Sequence, residues 1–332
     1  MEEDALKVYV KTPCRLHFSL IDMSGSVGRV DGSVGLALNY PNVTLEAQSD
    51  ETLRVEGLTP RKVRTLVKRF MKHFNLKEGV RVNLKSNIPS HVGLGSTTQL
   101  SMAIASALAE LFNIERDVNY LARVMGRGGT SGIGVAAFHR GGFILDGGHL
   151  YRKKGGKRSF LPSHASRAPP PPILLRYDFP EDWMFVIALP NLPKGLHGPR
   201  EVEVFQSRCP IPDVEVGKVC RLILMKMLPA LKEQDIEEFG SSLTQLQEVG
   251  FAAATKDFMH PTVKRCVKLM LKLGAYGAGQ SSFGPNAYAL VKGVSQARKI
   301  MRITNDFLQR TGGGEVFYTS ANNRGATVKL LK

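Results

Sequence analysis

No stretch of this sequence approaches the roughly 20 uninterrupted apolar residues that a membrane-spanning helix requires, which argues against a helical membrane protein. Cysteine is scarce: Cys14, Cys209, Cys220 and Cys266 lie far apart with no Cys-x-x-Cys pair. Neither a disulfide framework nor a zinc site is indicated, and buried thiols are expected. The eight histidines form no His-Glu-x-x-His or comparable ligand spacing, so no dedicated transition-metal site is expected. Acidic residues are also short, 29 against 45 Lys and Arg, for a net charge of +16. That surplus suits a polyanionic partner, whether nucleic acid, acidic lipid or a phosphorylated metabolite, without choosing among them. The basic residues are spread along the chain apart from short clusters at 61–72 and 152–158, which read as solvated faces rather than a nucleic-acid patch. The start, Met1-Glu2-Glu3-Asp4, is the opposite of a secretory leader, so a cytoplasmic location is expected.

What is present is a globular composition: 332 residues, 43% of them hydrophobic, enough to bury a core and fold as two joined domains. Alternation at Val8 to Val10, Val43 to Ala47 and Val80 to Leu84 predicts the strands of a first sheet. Between them Val63, Leu66, Val67, Phe70, Met71 and Phe74 recur at helical spacing, an amphipathic helix with Arg and Lys on its other face. A second helix is predicted from about Thr97 to Phe112, capped by Ser96 or Thr97, and a third from Asp117 to Met125. Glycine-rich turns and an apolar strand, Gly142 to Leu145, follow. Basic residues from Arg152 and then Ala168-Pro169-Pro170-Pro171-Pro172 mark a surface excursion, dividing the chain into domains at 1–165 and 173–332. The second half opens on a buried strand, Trp183 to Leu189, continues with helical patterns near 216–231, 235–249 and 261–273, and ends as strand, helix, strand, strand. This mixture predicts an α+β architecture in both halves.

Chemistry concentrates in two glycine-rich segments. Pro89-Ser90-His91-Val92-Gly93-Leu94-Gly95-Ser96-Thr97-Thr98 lies between a strand and a long helix. Glycine lets backbone N–H groups turn inward, and the helix start adds partial positive charge, so Gly93, Leu94, Gly95, Ser96 and Thr97 suit a phosphate. The alternative is a tight turn that only caps a helix. No Gly-Lys-Ser/Thr follows and no third glycine completes Gly-x-Gly-x-x-Gly, so neither a Walker loop nor a dinucleotide fingerprint is present. The second segment, Gly274-Ala275-Tyr276-Gly277-Ala278-Gly279-Gln280-Ser281-Ser282-Phe283-Gly284-Pro285, again sits at a helix–strand junction. Two such loops far apart in sequence predict one cleft built by both halves; the alternative for the second is an elaborate turn.

Pro-x-x-x-Gly-Leu-Gly-Ser-Thr together with the late Gly-Ala-Gly-Gln-Ser-Ser resembles the GHMP kinase superfamily over nearly the whole chain. The resemblance implies a two-domain fold, an N-terminal domain like the second domain of ribosomal protein S5 and a ferredoxin-like C-terminal domain, with phosphates on Gly93 to Thr97. One departure matters: where many of these kinases carry Ser-Gly-x-Asp, this chain has Ser131-Gly132-Ile133-Gly134, so the usual kinase base is absent. Lys11 to Asp22, Gly28 to Leu38, Arg127-Gly128-Gly129-Thr130-Ser131-Gly132-Ile133-Gly134 and Leu196-His197-Gly198-Pro199-Arg200-Glu201 resemble a narrower branch, the β-ribofuranosylaminobenzene 5′-phosphate synthases. That resemblance implies a decarboxylating pentosyltransferase of methanopterin biosynthesis. It would join 5-phosphoribosyl-1-pyrophosphate to 4-aminobenzoate or 4-hydroxybenzoate with release of CO2 and pyrophosphate.

Such a reaction requires a pyrophosphate cradle, a clamp for the ribose phosphate and groups that stabilise charge as carboxylate leaves. The Gly93–Thr97 loop would hold pyrophosphate, with Mg²⁺ neutralising part of its charge alongside one or two carboxylates and no organic cofactor. Arg15, Arg29 and Lys11 stand in a stretch dense in glycine and apolar residues, which suits anion recognition; the alternative is surface cations paired with nearby aspartates. Asp22 and Asp31 flank Arg29 and would hold the metal, bond ribose hydroxyls or stabilise charge at the anomeric carbon, with Asp22 the choice for chemistry alongside Arg29. His17 is read as a proton-transfer or carboxylate-contact residue, with a structural histidine between Leu16 and Phe18 as the alternative. Ser281 and Ser282 would reach the same cleft, and His197 and Arg200 form a further basic pair on an expected loop, with no role assigned. By analogy a homodimer is expected. An ATP-dependent small-molecule kinase of the same superfamily is the competing assignment; a nucleic-acid-binding module is disfavoured because no basic motif interleaved with aromatics is present.

Overall fold

In the computed structural model, which describes residues 6–331, alternation does what the sequence predicts: Val8 and Val10 are fully buried while Lys11 faces solvent. The segment Met1-Glu2-Glu3-Asp4 lies outside the described residues. The strands are β1 (Lys7–Lys11), β2 (Cys14–Asp22), β3 (Arg29–Leu38), β4 (Thr44–Asp50), β5 (Arg54–Gly57), β6 (Gly79–Ser86), β7 (Phe143–Asp146), β8 (His149–Leu150), β9 (Ile173–Tyr177), β10 (Trp183–Pro190), β11 (Gly277–Gly279), β12 (Ala287–Lys292), β13 (Gly314–Ser320) and β14 (Thr327–Leu331). The helices are α1 (Pro60–Phe74), α2 (Ser96–Leu111), α3 (Val118–Val124), α4 (Ile133–Arg140), α5 (Pro199–Arg208), α6 (Asp213–Leu222), α7 (Leu228–Glu233), α8 (Ile236–Leu246), α9 (Gly250–Ala254), α10 (Pro261–Lys272) and α11 (Gly293–Arg310). A π turn, Ile223–Met227, joins α6 to α7.

The first sheet runs β14-β1-β4-β6-β5, the second β2-β3-β7-β9 with β8 paired to β3, and the third β11-β12-β10-β13. The first contains the three strands predicted from residues 8–84, and α1 buries Val63, Val67 and Phe70 as its apolar stripe requires. The third sheet is a βαββαβ unit whose first strand is central, the ferredoxin-like arrangement. The domain boundaries need correction. β9 pairs with β7, extending the N-terminal half to Tyr177 rather than 165, and β14 crosses back to pair with β1 along Lys7↔Leu331 to Lys11↔Thr327. The core is shared: Phe18 on β2 lies 6.2 Å from Phe185 on β10 and 5.7 Å from Tyr288 on β12, so the halves bury one another's apolar faces.

Three helices escaped the sequence reading: α4, α5 and the short α9. The turns expected before Gly142 contain α4, whose buried Ile133, Val135, Ala136, Ala137 and Phe138 pack with too little polar contrast to show a stripe. The loop expected around Arg200 is α5, announced by Gly198 and Pro199 at its start, the usual company of a helix N-terminus. No helix among the described residues is long and apolar enough to cross a membrane.

Candidate active site

The two glycine loops touch. Gly93 (φ +80°) and Gly95 (φ +83°) take the left-handed conformation that glycine adopts at no steric cost. A Cβ on Gly93 would lie 2.1 Å from the Ser281 carbonyl oxygen, and one on Gly284 would lie 2.1 Å from the Val92 carbonyl carbon, so only glycine permits the approach. The Ser281 hydroxyl donates to the Gly93 carbonyl at 2.7 Å and accepts from the His17 N–H at 2.9 Å, while Asn286 Nδ2 donates to the Val92 carbonyl at 2.7 Å. Helix α2 then begins at Ser96 with Gly95 at the cap and no side-chain cap, which corrects the expectation that Ser96 or Thr97 would fill that place. Its first-turn N–H groups are thereby left for an anion.

Beside this helix start is a cavity of about 420 Å³, lined from both halves of the chain. Of the expected site residues, Gly93, Gly95, Ser96, Thr97, Arg15, His17, His197 and Ser282 line it. Leu94 does not: its side chain is buried in the core, and its carbonyl accepts the Arg15 N–H at 3.1 Å. Ser281 is fully buried with its hydroxyl committed to the two loops, so it joins the cleft's walls rather than reaching a ligand.

The structure places five further expected residues away from the cavity wall. Asp22 turns its carboxylate back onto its own hairpin, accepting from the Ser24 N–H and hydroxyl, each at 2.8 Å, and from the Gly25 N–H at 3.3 Å. Arg29 donates to the Gly147 and Gly148 carbonyls, both at 2.8 Å. Asp31, fully buried, accepts from Lys157 Nζ at 3.0 and 2.9 Å and bonds His149 Nδ1 at 2.6 Å. Lys11 is exposed on β1, and Arg200 is exposed on α5; neither lines the cavity. Asp22 and Asp31 face each other across the β2–β3 ladder, but their side chains serve different turns.

Sequence reasoning passed over the cavity's most consequential charges. Arg127, between α3 and α4, donates Nε–H to the Thr98 hydroxyl at 3.1 Å, within the first turn of α2. Burial lowers Arg127 and Arg15 each to about 10, which leaves both cationic at neutral pH. Burial, helped by Arg15, pushes His17 down to about 3. Its imidazole is therefore neutral and cannot serve as an imidazolium acid near pH 7. Glu201 is the single carboxylate lining the cavity among the described residues; burial raises it to about 7, with His164 Nδ1 3.3 Å away. Phe205, Phe251 and Phe283 form an aromatic wall, with ring centroids 4.9 Å apart for Phe205–Phe251 and 6.0 Å for Phe251–Phe283. The quoted segments at 127–134 and 196–201 already contained Arg127 and Glu201. The missing signal was the helix start at Gly198-Pro199, which puts Glu201 and Phe205 four residues apart on one helical face.

Asp146, which does not itself line the cavity, accepts from the Gly132 N–H at 2.9 Å, the Gly148 N–H at 3.0 Å and the Ser33 hydroxyl. Burial raises it to about 6. It fixes the turn that presents Ser131 to the cavity, with the Ser131 and Ser33 hydroxyls 2.7 Å apart.

Paired glycine loops at a shared cleft, on an S5-like half joined to a ferredoxin-like half, define a protein of the GHMP kinase class. The family model described as GHMP kinases N terminal domain matches residues 61–142, and GHMP kinases C terminal matches 227–308. A homoserine kinase structure from Cytophaga hutchinsonii superposes with a TM-score of 0.70 over 99% of this chain and 98% of its own, at 17% identity, which shows the shared fold alone. Within that class the chain belongs to the β-ribofuranosylphenol 5′-phosphate synthase family. It is 42% identical to the enzyme of that name from Methanothermobacter thermautotrophicus over 97% of this chain and 98% of the relative. It is also 42% identical to the one from Archaeoglobus fulgidus, over 97% and 99%.

Proposed function

We propose that this enzyme joins 5-phosphoribosyl-1-pyrophosphate to 4-hydroxybenzoate in the cytoplasm, releasing CO2 and pyrophosphate and leaving a C-riboside 5′-phosphate. The observation that carries this reading is the pairing, in one cavity, of an uncapped helix start flanked by Arg15 and Arg127 with a wall of three phenylalanines. The first suits a polyanion and the second a planar ring. The relatives are named for a ribofuranosylphenol, which favours a ring hydroxyl over the amino group that the sequence left as an equal choice.

The α2 N–H groups and the Ser96 and Thr97 hydroxyls would hold pyrophosphate as it leaves, where fixed dipoles cost no reorganisation. Arg15 and Arg127 offset the charge that builds there. Among the described residues no group of three or more His, Cys, Asp or Glu comes together, so the protein builds no cage of its own for an ion. Mg²⁺ would instead enter as part of the pyrophosphate substrate, carried by phosphate oxygens and water.

Gly134 weighs against kinase chemistry. It lines the cavity where the kinase aspartate is expected, and even a Cβ there would stand 3.1 Å from Thr98 Cγ2. The decisive assay supplies phosphoribosyl pyrophosphate with carboxyl-labelled 4-hydroxybenzoate or 4-aminobenzoate and follows labelled CO2, with ADP formation from ATP measured in parallel. Labelled CO2 is expected without ADP; ADP alone would establish the kinase instead.

A further inference from the structure

Resting on the reaction just described, a chemical requirement remains unassigned. Attack by the ring carbon that bears the carboxylate pushes electron density from the oxygen at the opposite position. With the hydroxyl proton still in place, the product of that attack is a strongly acidic protonated ketone. A 4-amino group needs no such step, because nitrogen is the stronger electron donor and its iminium is a far weaker acid than a protonated ketone, so it forms with its protons in place.

We propose that Glu201 is the base that takes the ring hydroxyl proton. It is the single carboxylate on the cavity wall among the described residues, and it shares one face of α5 with Phe205 of the aromatic wall. A ring resting on Phe205, Phe251 and Phe283 therefore has a carboxylate within one helical turn of its edge. In the step, the O–H proton passes to Glu201 while the ring carbon bonds the anomeric carbon and pyrophosphate leaves with the C–O electron pair. The carbon–carboxylate bond then breaks, its electrons restore the aromatic ring, CO2 departs and the oxygen recovers its proton from Glu201. Atoms and charge balance with no further reactant.

The titratable and charged groups facing Glu201 are His164 from the segment after β8, held neutral by burial, His197 from the turn before α5 and Arg127 from the α3–α4 loop. Burial outweighs Arg127 and His197 in setting its acidity, which places its carboxylate form just where a base at neutral pH is most effective.

The test compares E201Q with the unaltered enzyme on both benzoates. A positioned base contributes roughly 100- to 10,000-fold, so kcat with 4-hydroxybenzoate should fall at least ~100-fold, and kcat with 4-aminobenzoate less than ~10-fold. A more acidic phenol, 3-fluoro-4-hydroxybenzoate, should recover part of the E201Q loss. The unaltered enzyme should lose activity on the hydroxyl substrate as pH drops through about 7, and E201Q should lack that limb. Equal losses on both benzoates, no rescue by fluorine, or a loss below about threefold would overturn the assignment. Should E201Q fail to bind phosphoribosyl pyrophosphate in calorimetry, E201D carries the same comparison, and equal losses there overturn it too. Silence of the unaltered enzyme with both benzoates would instead remove the proposed reaction, a distinguishable failure.

Discussion

Arg127 shows how a single side chain acquires a role from its surroundings. In sequence it is one of 45 Lys and Arg residues, preceding two glycines in a segment with no helical stripe. In the fold it is half-buried with its Nε–H on Thr98, so its guanidinium stands over the start of α2. A charge-assisted hydrogen bond contributes ~1.5–3 kcal/mol, and 1.4 kcal/mol is tenfold in affinity. R127A should therefore raise KM for phosphoribosyl pyrophosphate roughly 10- to 100-fold in steady-state kinetics, leaving KM for the benzoate nearly unchanged. R127K keeps the charge without the fork and should fall between the two. Asp22 and Arg29 make the opposite point: their charges attracted a functional reading, but nearby backbone groups claim both.

At the scale of the element, the 151–172 excursion owes its order to a buried ion cluster. Asp31 holds a left-handed backbone (φ +68°), which a short polar side chain tolerates. It bonds Lys157 and His149, and His149 Nε2 in turn faces the Gly128 and Pro169 carbonyls at 3.2 and 2.9 Å. The segment tied down this way carries Pro162, Ser163 and His164 on the cavity wall. Removing one partner of a buried pair costs ~3–5 kcal/mol because the other charge is stranded. D31N should thus lower Tm by several degrees in calorimetry. Adding K157M should return part of the loss, since no uncompensated ammonium then remains; a double variant less stable than D31N would contradict this account. Proline and basic residues showed that the excursion leaves the sheet, but not that it returns to roof the cavity, because its anchor is more than 100 residues away in sequence.

Over the whole molecule, the chain's last strand belongs to its first sheet. β14 adds five residue pairs to β1 and has little burial of its own, so its contribution is mainly backbone hydrogen bonding and cover for an edge. Deleting 327–331 should lower Tm, raise amide exchange across 7–11 and promote association through the uncovered β1 edge, all measurable by exchange mass spectrometry and light scattering. Apolar periodicity and turn chemistry are local properties, and they determined three strands of the first sheet, the stripe of α1, the helical patterns near 216–231, 235–249 and 261–273 and both glycine loops. Which loop met which, and which charge faced the cavity, depended on long-range packing: Gly284 against Val92, β14 against β1, Asp31 turned inward and Glu201 carried round by α5. A residue's type fixes what chemistry it is able to perform, whereas burial and neighbours brought from elsewhere in the chain fix whether it is free to perform it.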